Sequence, residues 1–453
     1  MTSQSTPISF HREGSLNCPQ LEWILSQPVH LAEYSYEYNA TLDIGRKVVG
    51  VTVADALDAL QGLVIRHEAL RTYLTYDGSG RGRQQVAPPP RSPSDLEDFV
   101  RITGPDHSVS AIESAQKTCF DASCDRPLKV VITATANTVQ DFRVICDHSA
   151  VDGWGLRILY EDLVRMVHLR QSGTLAGDLP LHFDSATQPL DITDWENSEQ
   201  GVRRLEKSLK FWCDQYELLG SLVDTRAVVP PAGFPEGSVY WSCTSSSAAL
   251  AHASKAAAHR LRATPSAILL TAYGLTLCDF FDRPAIGVLN LVSNRSSDAD
   301  KRSASKMFMK APVIVSRPED GSVSATVAET LNQILLGLKF AHVDRWRVNE
   351  RRADILPSAS SAAVAGAAFN YVPRISSGRQ AGDVADFANE QIRFEPARRL
   401  SPALMLTVFD DHYGFEACLT CRDDIMGPDL AAKMLGSITA LVTDMAQADR
   451  LQH

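Results

Sequence analysis

The run Val144–Leu156 reads VICDHSAVDGWGL. Val144, Ile145 and Cys146 close an apolar strand, and Asp147 to Asp152 make a short polar turn. Gly153 then leads into a helix whose Leu156, Leu159, Leu163 and Val167 share one face. A side chain on such a strand-to-helix loop stands at the end of a sheet, where it can reach a cleft. His148 occupies that place, and imidazole is the side chain best suited to accept a proton near neutral pH. Asp152 follows four residues later, close enough to brace the loop from behind, and Gly153 admits backbone angles that other residues avoid. A core histidine bonded to its own loop would leave the same HxxxDG trace, so its surroundings must decide.

Working outward, Leu128–Ala134 and Asp141–Cys146 read as two strands before the loop. Earlier, Val53, Ala56, Leu57, Leu60, Leu63 and Val64 recur at helical spacing. RTYLTY (Arg71–Tyr76) then reads as a strand, and Gly78, Gly80, Gly82 and Pro88–Pro90 mark a turn and loop. Beyond the loop helix, Gly173 to Asp191 is rich in Gly, Asp and Pro. Helices follow at about Val202–Leu219, Ser246–Arg262 and Ser266–Phe281, then a buried strand at Ala285–Val292. A helix at Ser324–Phe340, a strand at Ala367–Tyr371, a hairpin at Ala403–Cys421 and a closing helix at Pro428–Met445 complete the pattern. Helices alternate with strands throughout, which makes the class α/β, layered as sandwiches.

The 453 residues exceed the roughly 250–300 at which a single core stops growing, so two lobes are expected, 1–185 and 186–453. Hydrophobic residues make up 44% and charged residues 22%, which excludes a collagenous or largely disordered chain. The net charge of −10 gives no overall attraction to nucleic acid or anionic lipid. Nine scattered cysteines are expected to be reduced. Only Cys418 and Cys421 have CxxC spacing, inside a strand pattern, so no metal site is expected. No apolar run reaches the ~18 residues of a membrane span. The opening MTSQSTPISFHREG has no signal-peptide core, so a cytoplasmic protein with no membrane partner is expected.

Several further runs accompany the loop in a fixed order: RHEALRT (Arg66–Thr72), FDASCDRPL (Phe120–Leu128), ITDWE, KSLKFW, TPSAILLTAYGLTL, NLVSNRSS, FAHVDRW and FNYVP. With DHSAVDG (Asp147–Gly153), the set resembles the condensation domains of nonribosomal peptide synthetases, from about Cys18 to Asp449. The resemblance implies two chloramphenicol-acetyltransferase-like α/β sandwich lobes, arranged as a V-shaped pseudo-dimer with a central tunnel. It implies a free-standing acyltransferase that forms an amide or ester in the making of a specialised metabolite. The partner is an acyl- or peptidyl-carrier protein whose phosphopantetheine arm brings a thioester, while an amine or alcohol enters from the other side. No bound cofactor or metal is implied. His148 matches the motif histidine that receives the hydrogen bond of the nucleophile. Gly153 turns its backbone N–H toward the thioester oxygen, and Asp152 is held by an arginine. Arg71 is the first choice for that arginine and Arg295 the second. Trp154 either lines the acceptor channel or is packed, and Asn370 either projects into the tunnel or ends a strand. His67 and Glu68 are local structure at a helix end.

One position departs from the family's HHxxxDG, because Asp147 replaces the first histidine. An aspartate there can raise the basicity of His148 or orient its loop. The DxxxxD spacing of Asp147 and Asp152 is shared with heterocyclisation domains, which lack the histidine. Two other readings stand beside the condensation reading. A coenzyme A-dependent acyltransferase shares HxxxD, although the DFGWG of the plant-type group does not occur in this sequence. A condensation-like domain that only recruits other enzymes is the third.

Overall fold

The computed structural model describes residues 10–26, 35–48, 50–78, 81–222, 238–318, 322–355, 366–373, 392–398, 402–411 and 413–447. They form two compact units: Met1–Arg203 with Ser293–Phe308, and Arg204–Val292 with Met309–His453. Short helical turns are left unlabelled below.

The first unit runs β1 (Arg12–Ser15), α1 (Cys18–Ser26), β2 (Ala40–Asp43), α2 (Val53–Arg66), β3 (Thr72–Tyr76), β4 (Gly82–Val86) and β5 (Val100–Thr103). It continues with α3 (Ser108–Gln116), β6 (Leu128–Thr135), β7 (Thr138–Cys146), α4 (Gly153–Gln171), α5 (Pro189–Asn197) and the start of α6 (Glu199–Leu222). Its larger sheet has the order β2-β7-β6-β5, and only the β5/β6 pair is parallel. A smaller antiparallel sheet has the order β1-β4-β3. The alternation of β7 buries Phe142 and Val144, which meet Leu60 and Leu63 of α2 and Leu159 and Leu163 of α4 in one core. Thr52 caps α2 by accepting the Asp55 N–H at 3.1 Å.

The expected break at 185/186 assigns α5 to the wrong side. Asn17 Nδ2 donates to Pro189 O (3.0 Å) and Gln84 Nε2 donates to Thr193 Oγ1 (2.7 Å), so α5 is bonded to the β1/β4 region. The Gly/Pro-rich stretch is therefore a loop within the first unit. The division falls inside α6, and Ser293–Phe308 returns to the first unit from far along the chain.

The second unit comprises the rest of α6, then β8 (Tyr240–Ser247), α7 (Ala248–Leu261), α8 (Pro265–Phe280), β9 (Ala285–Val292), β10 (Met309–Ser316) and α9 (Val323–Phe340). After these come α10 (Arg345–Ile355), β11 (Ala367–Pro373), β12 (Ile392–Pro396), β13 (Leu404–Asp410), β14 (Phe415–Arg422) and α11 (Pro428–Gln447). One seven-stranded sheet has the order β10-β9-β11-β13-β14-β8-β12, with β11 parallel to both of its neighbours. α8 is apolar on nearly every side because it is buried on nearly every side, from Ala267 to Cys278. β8, β10 and β12 escape a reading by periodicity, since YWSCTSSS is polar and MKAPVIVS carries a proline. Cys421 lies in the core, whereas Cys418 is half-buried on the other face of β14. Residues three apart on a strand point to opposite faces, so this CxxC cannot converge on one metal ion. No helix among the described residues is long and apolar enough to cross a membrane.

Candidate active site

β7 ends at Cys146 and α4 begins at Gly153, and the loop between them turns back on itself. Ala150 and Val151 donate their N–H groups to Asp147 O at 3.1 and 3.3 Å. His148 is half-buried, and its Nδ1 lies 2.7 Å from Val151 O. A carbonyl oxygen only accepts, so Nδ1 carries the proton and Nε2 is the basic nitrogen of the neutral ring. The ring meets Trp23 edge-on at 4.8 Å and Phe308 nearly parallel at 5.8 Å.

Asp152 is buried and caps α4, with Oδ1 accepting the Gly155 N–H at 2.8 Å. Arg295 grips the same carboxylate with both terminal nitrogens at 2.9 Å, while Met307 and Phe308 donate their backbone N–H groups to Oδ2 at 2.8 and 2.9 Å. Burial alone would push this carboxyl up. The Arg295 charge and the converging donors outweigh it and hold Asp152 below the usual carboxylate range. Arg295 and Asp152 expose 1% and 2% of their side chains, so solvent hardly screens the pair.

Arg295, the second choice, is thus the partner, and Arg71 is not. Arg71 is buried elsewhere, bonded to Ala87 O and 3.5 Å from Glu68. It ends the helical turn just before β3, where its guanidinium meets Ala87 and Glu68, and no feature of RHEALRT reveals that. Gly153 also needs correction. It is absent from the residues with positive φ, and a Cβ there would meet nothing within 4 Å. The constrained glycine is Gly155, where a Cβ would lie 2.0 Å from Ala304 O. Sequence reasoning also missed Trp23, Lys306 and Phe308, which carry no motif of their own.

Asp147 is bonded to its own turn. Its carboxylate accepts the Ser149 N–H at 3.0 Å and the Ser149 hydroxyl at 2.7 Å, shaping the turn, and burial holds it above the usual range. Trp154 donates Nε1–H to Lys301 O at 2.8 Å, and Arg157 stacks on its ring at 4.2 Å, so it anchors α4 to the returning segment. Asn370 sits half-buried on β11 of the second unit, opposite Thr407 of β13. His67 is buried with Nε2 2.8 Å from Asp162 Oδ2, so instead of local structure at a helix end it makes a long-range contact from the end of α2 to α4. His107 and His168 are exposed, and His412 lies outside the described residues. A cavity beside the loop, lined in part by Asn17, Gln20, Ser149 and Lys306, holds about 10 Å³, the room of one water. A larger groove, about 630 Å³ around Pro88–Pro90, is lined in part by Cys124, Asp125 and Arg126 of FDASCDRPL and by no residue of DHSAVDG.

A family model for the condensation domain matches residues 23–341. Phosphinothricin tripeptide synthetase PhsC of Streptomyces viridochromogenes is 29% identical over 221 residues, covering 48% of this chain and 19% of that protein. The chain therefore spans less than a fifth of the length of that relative. Among solved structures, the X-domain in complex with OxyB from teicoplanin biosynthesis superposes with a TM-score of 0.70 at 17% identity, covering 98% of this chain and 97% of that one. The first condensation domain of the calcium-dependent antibiotic synthetase, in complex with a substrate analogue, gives 0.67 at 14%, with 97% of both chains covered. The fold is thus the chloramphenicol-acetyltransferase-like one that such domains share. A family match over most of the chain, together with relatives among peptide synthetases, shows that this protein belongs to the condensation domain family of nonribosomal peptide synthetases.

Proposed function

We propose that the chain is an acyltransferase that joins a carrier-bound acyl or aminoacyl group to an amine or alcohol. The observation that carries this reading is the tautomer of His148: Nδ1–H is committed to Val151 O, which makes Nε2 the basic nitrogen, the one with the lone pair that can accept a proton. The nucleophile attacks the thioester carbonyl while Nε2 accepts its proton. A C–N or C–O bond forms, the C–S bond breaks, and the proton passes on to the departing phosphopantetheine thiolate. Gly153 opens α4, whose first-turn N–H groups and dipole favour negative charge as the carbonyl oxygen becomes an oxyanion. Asp152 and Arg295 keep the loop rigid without touching the reacting atoms. Neither metal nor bound cofactor has a part in this scheme.

The test uses carriers loaded with acyl or aminoacyl phosphopantetheine, offered to the full chain with amine and alcohol acceptors, and followed by intact mass. Loss of the acyl group from the carrier, with formation of amide or ester, is expected. His148→Ala should abolish it, and an equal rate from acyl-coenzyme A would favour the coenzyme-dependent reading instead. A recruiting role has one observation in its favour, because Asp147 stands where the family carries its first histidine. Unchanged pathway output with His148→Ala would decide for that role.

A further inference from the structure

His148 is flanked by two rings from distant parts of the chain, Trp23 of α1 and Phe308 of the returning segment. Lys306 joins those two parts. It is 2% exposed, and its Nζ donates to Pro19 O of α1 at 2.8 Å and lies 3.4 Å from Phe308 O. The same nitrogen stands 4.2 Å from the centroid of the Phe308 ring and 5.8 Å from that of Trp23. Its backbone N–H donates to Ala150 O at 2.8 Å, inside the His148 loop. A lysine is almost never buried to this degree, because its ammonium loses hydration and its stem loses rotamer freedom. Methionine would fill a similar volume at less cost, so packing alone does not account for the charge. An ammonium supplies what a thioether cannot: a donor to the Pro19 carbonyl and a cation for the faces of both rings.

We propose that Lys306 is a positioning residue for His148: its ammonium ties Pro19 of α1 to Phe308 and thereby fixes the two rings between which the imidazole stands. Any effect on turnover rests on the acyl-transfer reading, whereas the effect on the rings does not.

The experiment is NMR of the full chain with isotope-labelled histidine, the His148 ring signals being assigned by their absence in His148→Gln. In the native chain the ring currents of Trp23 and Phe308 should displace those signals from the values of an exposed histidine. Lys306→Met should move them toward exposed values, and Lys306→Arg should restore most of the displacement. Turnover with a loaded carrier should fall roughly 10- to 100-fold in Lys306→Met, the scale of a misplaced reacting group, with the KM for the acceptor little changed. Should Lys306→Met fail to fold, Lys306→Gln, which keeps a donor for Pro19 O but no charge, should shift the signals part of the way. Signals that stay in place in a folded Lys306→Met or Lys306→Gln chain overturn the inference, even if turnover falls. Signals that move, with no acyl transfer from any chain, support the inference and count instead against the acyl-transfer reading.

Discussion

At the scale of single residues, the site turns on one carboxylate with five donors. Gly155, both terminal nitrogens of Arg295, Met307 and Phe308 converge on Asp152. Arg295→Met leaves that charge buried without its counter-ion and should cost about 3–5 kcal/mol, read from the midpoint of urea unfolding. The pH dependence of that loss has a definite sign. Asp152 sits below its ordinary 3.8 when folded, so its contribution is complete above that value and is lost as the pH falls through the folded-state value. The stability gap between native chain and Arg295→Met should therefore narrow below about pH 4. Asp147 behaves oppositely, because burial raises it. Asp147→Asn keeps an oxygen for the Ser149 N–H and removes a charge the interior disfavours. It should change stability by less than about 1 kcal/mol in the same unfolding experiment and leave acyl transfer largely intact. Reading DHSAVDG alone does not separate these two aspartates; their bonding partners do.

At the scale of elements, the first turn of α4 is pressed against the returning segment. The contact is closest at Gly155, whose missing side chain lets Ala304 O approach, with Asp152 as the cap. Gly155→Ala must push that carbonyl away and should destabilise the chain by about 1–3 kcal/mol, as overpacking does. Gly153→Ala, two residues earlier, faces open space in ordinary helical geometry and should be close to neutral or slightly stabilising. A pair of thermal melts distinguishes the two glycines. The helix itself was plain in the sequence, since Leu159, Leu163 and Val167 recur on one face. The packing of its first turn was not, because the neighbour that forbids a Cβ at Gly155 lies about 150 residues away.

At the scale of the whole molecule, each unit has its own core, yet the first is not a continuous piece of chain. Ser293–Phe308 supplies Arg295, the Met307 and Phe308 N–H groups and the Phe308 ring to the His148 loop. A fragment of residues 1–203 should therefore keep much of its secondary structure by circular dichroism but lose the ordered loop. Limited proteolysis between Asp147 and Trp154, slow in the full chain, should become rapid in the fragment.

What the sequence determined by itself is local in origin. Period-3.6 and period-2 patterns gave α2, α4, α9, α11 and the β13/β14 hairpin, because such elements bury one face and the pattern records which, whereas α8 and β9 showed as nearly continuous apolar runs. The DHSAVDG run likewise marked the imidazole on which the proposed acyl transfer rests. The tertiary structure decided the rest: Arg295 over Arg71 as the partner of Asp152, Gly155 over Gly153 as the constrained glycine, and Trp23, Phe308 and Lys306 around His148. Each of these choices depends on which distant segment comes to lie against the loop. A buried ion pair or a ring contact fixes side chains far apart along the chain, so it leaves no periodic trace near either partner.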